Sequence, residues 1–249
     1  MNQQLTPTES EQRIRAAVRV VLSPGVWLVI GLQVVFVTLR TQTILPLDDT
    51  GPTGVALATF GALLILIYLV SGTFRSFALG DNTVSIYETL SRGKEAFTSF
   101  LWLLVQVGLL LLLVLFVLLS LLYWSRAIDG ANTERLVTEV VRNVRVVAMV
   151  IPFLFVYWFP VVFSTNDFRV FATLRSALRI IWQQLWKSGF LAFLIFFPLV
   201  VFWLVPDNSP LIVFLIINVI AEVMGWTAYV YCVESLARNP SWVTGTTST

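Results

Sequence analysis

Glu222 is the residue whose type and setting most clearly allow chemistry in this sequence. It is the only charged residue in the apolar run 208–233, and Asn218 precedes it by one helical turn. An ionised carboxylate at mid-membrane costs at least about 2.5 kcal/mol, so this group should be neutral, paired or open to water. Such a carboxyl group can transfer a proton, bind a cation or join helices through hydrogen bonds.

Two interpretations of this carboxyl group are open from the sequence. In the first, a polar cluster fixes how three apolar helices meet, and its members are Glu222, Asn218, Gln33 and Gln106. In the second, Glu222 is a proton or cation site in a transport pathway. The two interpretations differ in whether water reaches the carboxyl group.

The elements that must position these residues are apolar helices. The chain has 249 residues, of which 57% are hydrophobic and 12% charged, about half the charged fraction of an ordinary soluble domain. A helix needs roughly 20 residues to cross a bilayer. Six runs lack charge apart from Glu222, at 20–39, 50–74, 96–125, 146–166, 188–206 and 208–233. They predict an all-α integral membrane protein with six transmembrane helices.

The ends and the orientation of this helical domain can also be predicted. Ser23 and Pro24 are typical of a helix start, with serine as the cap and proline at the first position. With both termini inside, eleven of the 16 Lys and Arg residues fall on cytoplasmic segments. The positive-inside rule therefore predicts cytoplasmic termini. The predicted location is the cytoplasmic (inner) membrane. Residues 1–238 form one predicted domain, and the tail 239–249 is predicted to be disordered.

Three cytoplasmic segments have apolar residues at three- and four-residue spacing, which predicts amphipathic helices at the membrane interface. The clearest contains Phe171 and Trp182, another contains Ile14, and a weaker one contains Tyr87 and Leu90. Their basic residues are candidates to contact anionic lipid headgroups, each contributing about 1 kcal/mol near the surface. They are Arg13, Arg15, Arg19, Arg92, Lys94, Arg169, Arg175, Arg179 and Lys187. Plain positive-inside anchoring is the alternative role for them.

Each amphipathic segment precedes two apolar runs, so the chain divides into three similar units at 9–75, 82–165 and 167–238. "YETLSRGKEA" aligns with "FATLRSALRI" through a shared "TL". Apolar helices also align with one another through composition alone. A triplicated unit and a chance alignment both fit the sequence.

The run "FPVVFSTNDFRVFATLRSALRIIWQQLWKSGFLAFLIFF" and the later "YVYCVESLAR" resemble a known family. They are similar to YciC-like polytopic membrane proteins and to the membrane domain attached to some glycerophosphodiester phosphodiesterases. The resemblance implies a helix, a short polar turn, an amphipathic segment and a further span. It also implies a role in envelope or partner organisation. The chain lacks the histidines and acidic metal-ligand clusters that the phosphodiesterase chemistry would need.

Composition and motifs disfavour several classes of function. The chain has no histidine and one cysteine, Cys232, so haem, chlorophyll and most catalytic zinc or copper sites lack their usual ligands. Walker loops, dinucleotide fingerprints and paired-cysteine motifs do not occur in the sequence. The basic residues are too dispersed for a nucleic-acid surface. We therefore expect no enzymatic activity, no cofactor or metal and no nucleic-acid partner.

Two functions are compatible with these features. The first is a non-enzymatic accessory, assembly or organising component of a membrane complex or of lipids. Its partners would be membrane lipids and another membrane protein or a second copy of the chain. The second is a small permease or channel component that uses Glu222 as an intramembrane proton or cation site.

Overall fold

The computed structural model describes residues 9–41, 47–124, 156–184, 189–205 and 210–239, and these residues contain helices and no strands. Within those ranges the predicted all-α class is confirmed. The described residues form the helices α1 Glu9–Val21, α2 Pro24–Thr41, α3 Leu47–Ala78, α4 Ile86–Trp124, α5 Val156–Thr165, α6 Val170–Gln184, α7 Gly189–Leu204 and α8 Leu211–Arg238.

Within the described residues, three helices are long and apolar enough to cross a membrane. They are Leu57–Ala78 of α3, Ile86–Val114 of α4, and α8. A fourth candidate arises if Ser10–Val21 and Pro24–Phe36, which meet at 66°, are one broken span. α5 and the first part of α7 are shorter apolar helices that lie within the fourth and fifth predicted spans. Three to four candidate spans indicate a membrane protein, whereas the predicted count of six is not confirmed.

The bend between α1 and α2 is held by the turn that joins α3 to α4. α2 begins at Pro24, as predicted. Contrary to the prediction from the sequence, the Ser23 hydroxyl group does not cap the first turn of α2. It donates a hydrogen bond to the Arg19 carbonyl oxygen at 2.6 Å and accepts one from the Val84 N–H at 3.0 Å. The Gly25 N–H donates to the Val84 carbonyl oxygen at 2.8 Å. Two hydrogen bonds to one residue therefore fix where α2 enters the helix bundle.

α3 and α4 form the most extensive helix pair, and glycines allow their backbones to approach closely. A Cβ atom at Gly72 would lie 1.9 Å from the Thr89 carbonyl oxygen, and one at Gly93 would lie 2.9 Å from the Tyr68 carbonyl oxygen. The Tyr68 hydroxyl group donates to the Leu90 carbonyl oxygen at 2.5 Å. Small residues at such crossings allow dispersion contacts between backbones, which stabilise helix pairs in lipid.

An aromatic cluster joins α3, α4, α5 and α8, and Phe74 lies at its centre. The Phe74 ring centroid is 4.2 Å from that of Tyr229, 4.8 Å from that of Trp226 and 5.4 Å from that of Phe163. The Phe100 ring of α4 contacts the Phe163 ring at 5.2 Å. The buried Tyr229 hydroxyl group donates to the Phe74 carbonyl oxygen at 2.9 Å, which avoids the penalty of an unpaired polar group.

α5 passes into α6 through the turn at residues 166–169. Asn166 has a φ of +53°, a left-handed conformation that asparagine tolerates better than most residues. The Trp158 indole N–H donates to Thr173 Oγ1 at 2.8 Å, and both side chains are buried. This bond fixes α6 against α5, in the helix, turn and helix order expected for this stretch.

The second amphipathic segment of the predicted repeat differs from the prediction, and parts of the third unit and the tail lie outside the described residues. The second amphipathic segment is not a separate helix, because Tyr87 and Leu90 lie at the start of α4, which continues unbroken to Trp124. Lys187 and the tail beyond Asn239 lie outside the described residues. The triplicated unit stays a prediction.

Candidate functional site

The structure brings together two of the four residues of the predicted polar cluster. Glu222 of α8 and Gln33 of α2 are half-buried, and their side chains lie close enough to interact. Gln33 Oε1 is buried and has no hydrogen-bond partner within the described residues. This pair links α2 to α8 inside the apolar part of the molecule.

The other two residues of the predicted cluster have different surroundings. Asn218 Nδ2 donates to the Phe214 carbonyl oxygen at 2.8 Å, one turn earlier in the same helix. Gln106 lines an open groove between α4 and the start of α6. Within the described residues, no hydrogen bond joins Gln106 to Glu222 or to Gln33. The polar contact at this depth therefore joins α2 to α8 and does not include Gln106 of α4.

Arg19 is bonded to three protein groups, although it belongs to the predicted headgroup set. Its Nη1 donates to Glu234 Oε1 at 2.5 Å, its Nε donates to the Asn82 carbonyl oxygen at 3.2 Å, and its Nη2 donates to the Asp81 carbonyl oxygen. The Arg19 and Glu234 side chains are 11% and 12% exposed. We call Arg19, Asp81, Asn82 and Glu234 the Arg19 clasp, which ties α1 to α8 and to the α3–α4 turn. Burial raises the pKa of the Asp81 carboxyl group in this clasp.

The other described basic residues that are predicted to contact lipid headgroups form two groups: two have contacts within the protein, and five are exposed. The Arg13 guanidinium lies 4.5 Å from the centroid of the Phe190 ring of α7, a cation–π contact. Arg92 Nη1 lies 3.4 Å from Glu95 Oε1, one turn away in α4. The other members that lie within the described residues are exposed: Arg15, Lys94, Arg169, Arg175 and Arg179.

α6 has an exposed face on which aromatic and basic side chains are interleaved. Phe171, Leu178 and Trp182 are 74%, 52% and 83% exposed, and Arg175 and Arg179 are exposed beside them. We call these five residues the α6 face. The opposite side of the helix is buried and consists mainly of Val170, Thr173, Ala177 and Ile180.

The other two amphipathic segments also direct apolar side chains outward. In α1 and at the start of α4, the apolar stripes that the sequence predicts are exposed. Smaller residues, Ala16 and Val20, form the buried side of α1. The exposed residues are Ile14, Val18, Val21, Tyr87 and Leu90. Apolar stripes that face away from the protein are typical of helices that lie in a membrane interface.

A groove that no sequence pattern predicts lies between α4 and the start of α6, with a volume of about 880 Å³. Trp102, Leu109 and Leu113 line it from α4, and Arg169 and Phe171 line it from the other side. Its walls come from two stretches more than fifty positions apart, and no local pattern in either stretch indicates that they meet.

Arg169 is held at the edge of this groove by a carboxylate two residues earlier. Its Nε and Nη2 donate to the Asp167 carboxylate at 3.0 Å and 2.8 Å. This bonding lowers the pKa of the Asp167 carboxyl group below its usual range, so the pair is ionised at neutral pH. The Arg169 side chain remains 82% exposed.

Within the described ranges, no group of three His, Cys, Asp or Glu residues is arranged to hold a metal ion. Comparison with family models, with curated proteins and with solved structures finds no match to the chain.

Proposed function

We propose that the chain is a non-enzymatic, six-span protein of the inner membrane that acts as an accessory or organising component by gathering anionic lipids at its cytoplasmic surface. The observation that supports this function most strongly is the α6 face. Phe171 and Trp182 are exposed there beside Arg175 and Arg179. Aromatic rings favour the headgroup level of a bilayer, and arginines near it attract anionic lipids.

The three amphipathic segments lie at the same end of the bundle, which supports a single membrane-facing surface. α1 is tied to the turn after α3 by the bonds of Arg19 to the Asp81 and Asn82 carbonyl oxygens. α4 begins directly after that turn. Arg75, near the end of α3, donates to the Phe163 carbonyl oxygen at 2.9 Å, which brings the turn before α6 to the same end. In the proposed orientation, both termini lie in the cytoplasm and this end meets the inner leaflet.

The lipid composition around the protein tests this function. The full chain would be extracted from native membranes directly into polymer nanodiscs, and lipids and co-extracted proteins would be quantified by mass spectrometry. We expect anionic phospholipid to be enriched relative to the bulk membrane. The enrichment should be lost in the combined variant Arg15→Gln, Arg175→Gln and Arg179→Gln, because exposed positive charge attracts anionic headgroups.

A control variant removes the same charge from the opposite side in the proposed topology, at Arg126, Arg135 and Arg142. It should keep the enrichment. A lipid composition equal to the bulk membrane in the unaltered protein would contradict the function, and so would enrichment that survives the combined variant. A protein recovered in fixed ratio would identify the complex that the chain assists.

A second candidate function is favoured by the contact between Glu222 and Gln33. Ionisable groups inside a membrane span often line ion or proton pathways. A permease or channel component would produce proton or cation flux in liposomes, and Glu222→Gln would abolish it. No flux, or a flux that Glu222→Gln leaves unchanged, would exclude this use of the carboxyl group.

A further inference from the structure

We propose that the groove between α4 and α6 binds one anionic phospholipid, with its phosphate at Arg169 and an acyl chain along Trp102, Leu109 and Leu113. The site rests on the proposed contact with anionic lipids and adds to it a single bound molecule. The α6 face supplies a surface for many exchanging lipids, whereas the groove has two walls that can enclose part of one lipid.

The groove has a polar end and an apolar end, as an amphiphile requires. The Phe168 ring contacts the Phe163 ring at 5.6 Å, and Phe163 in turn contacts Phe100 of α4. These contacts bring the start of α6 near Phe100, and the neighbours Ser99 and Arg169 both line the groove. From Ser99 to Leu113 the α4 axis extends about 21 Å. That length exceeds half of a hydrocarbon core about 30 Å thick, which is enough for one acyl chain.

The lining favours a lipid over a water-soluble ligand. Along α4 the groove presents Trp102, Leu109 and Leu113, and its polar side chains are Ser99, Gln106 and Arg169. This part of α4 belongs to a candidate membrane span, so the opening faces hydrocarbon in the proposed orientation. The volume of about 880 Å³ is within the range of roughly 300–1,000 Å³ for ligand sites. Among the described residues that line the groove, Arg169 carries the positive charge, which complements a phosphate.

The fork between Asp167 and Arg169 leaves the guanidinium able to bind a second acceptor. The Asp167 carboxylate accepts hydrogen bonds from Nε and Nη2 of Arg169, and the Nη1 atom takes no part in these bonds. Arginine has five N–H donors in one plane, so it can contact a carboxylate and a phosphate at once. Asp167 orients the guanidinium, and its negative charge also weakens the attraction for a phosphate.

Native mass spectrometry of the full chain tests the site. The protein would be purified in a mild detergent, delipidated and titrated with palmitoyl-oleoyl phosphatidylglycerol. We expect saturation at one lipid per chain, with Arg169→Gln weakening binding about tenfold, the effect of losing a charged hydrogen bond. Arg142→Gln makes the same substitution on the opposite side in the proposed topology and should leave this affinity unchanged.

Two further variants separate phosphate binding from a structural role of the fork. Asp167→Asn breaks the same ion pair but leaves the cation, so we expect equal or tighter lipid binding. If Asp167→Asn weakens binding as much as Arg169→Gln does, the phosphate contact at Arg169 is overturned. Ala172→Trp places a large ring in the groove and should displace the lipid while the protein elutes as a folded species.

Other results would also overturn the site. They are phosphatidylcholine that binds as tightly as phosphatidylglycerol, no saturable lipid at all, or binding that is insensitive to both Arg169→Gln and Ala172→Trp. The two lipid proposals fail separately. Enrichment in nanodiscs without a saturable lipid would remove the groove site alone, whereas a saturable lipid without enrichment would remove the surface function alone.

Discussion

Arg15 and Arg19 lie one helical turn apart in α1 and have opposite surroundings. Arg15 is exposed, whereas Arg19 is bonded to Glu234 and to two carbonyl oxygens in the Arg19 clasp. The sequence places both residues in one basic group, because helical periodicity shows which side of α1 they share but not what that side meets. Glu234 lies 215 positions away from Arg19, so no local pattern pairs the two residues.

The first prediction concerns the clasp. Arg19→Ala leaves Glu234 buried with its main partner removed, and breaking a buried ion pair in this way costs roughly 3–5 kcal/mol. We expect a clearly lower midpoint of thermal unfolding in detergent, followed by tryptophan fluorescence. Arg15→Ala is the matched control on the same helix and should change the midpoint little. Equal midpoints for the two variants would show that the clasp does not stabilise the fold.

The second prediction concerns the contact between Glu222 and Gln33. Glu222→Gln keeps a side chain that can bond to Gln33, so we expect the yield of monodisperse protein from membranes to be preserved. Glu222→Leu removes the acceptor and should lower the stability by about 0.6–2 kcal/mol, the usual contribution of a polar contact between membrane helices. Both would be measured by size-exclusion chromatography after graded heating. Loss of folded Glu222→Gln protein would show that the carboxyl group itself is required.

At the scale of helices, the crossing of α3 and α4 depends on glycine at particular positions. Gly72 has backbone atoms of α4 where a Cβ atom would lie, whereas Gly61 of the same helix has open space there. Both glycines lie in the same apolar run, and the sequence does not distinguish them. Only the packed structure shows which one allows close approach.

The third prediction uses this pair of glycines. Gly72→Ala must separate α3 from α4, so we expect a loss of stability that outweighs the roughly 1 kcal/mol gained in helix propensity. Gly61→Ala should be neutral or slightly stabilising. Thermal unfolding of the two variants in the same detergent makes the comparison. A Gly72→Ala protein as stable as the Gly61→Ala protein would contradict the close crossing.

The sequence predicts the amphipathic segments, whereas the direction in which each apolar stripe faces is seen only in the structure. Spacing identifies apolar stripes in α1, α4 and α6, and the structure has helices there. Yet the large members of the α6 stripe, Phe171 and Trp182, face outward, and the small Ala177 faces the core. A helical period measures how apolar residues cluster on one side. It does not distinguish burial against protein from burial in a membrane interface.

At the scale of the whole molecule, the described residues confirm the class of protein that composition predicts, and the count of six spans stays a prediction. The six spans are predicted from runs of uncharged residues in the sequence. A span also needs a continuous helix of sufficient length, which the sequence alone does not show. The run at 188–206 lies partly outside the described residues, and its described part contains the short apolar helix Gly189–Pro198. The run at 146–166 lies partly outside the described residues. The groove between α4 and α6 arises only when distant segments pack together, so no sequence pattern predicts it.

The central claim for the whole molecule is that three amphipathic segments lie at one cytoplasmic membrane surface. Single cysteines would replace Ile14, Tyr87 and Leu178 in a chain that carries Cys232→Ala. Each variant would be treated with an impermeant thiol reagent in spheroplasts and in inverted inner-membrane vesicles. In a second experiment a fluorophore would be attached to the cysteine, and brominated lipids that quench its fluorescence would report its depth. We expect no labelling in spheroplasts and quenching at interfacial depth for all three positions. Labelling of any position in spheroplasts, or absence of quenching, would contradict the shared cytoplasmic surface.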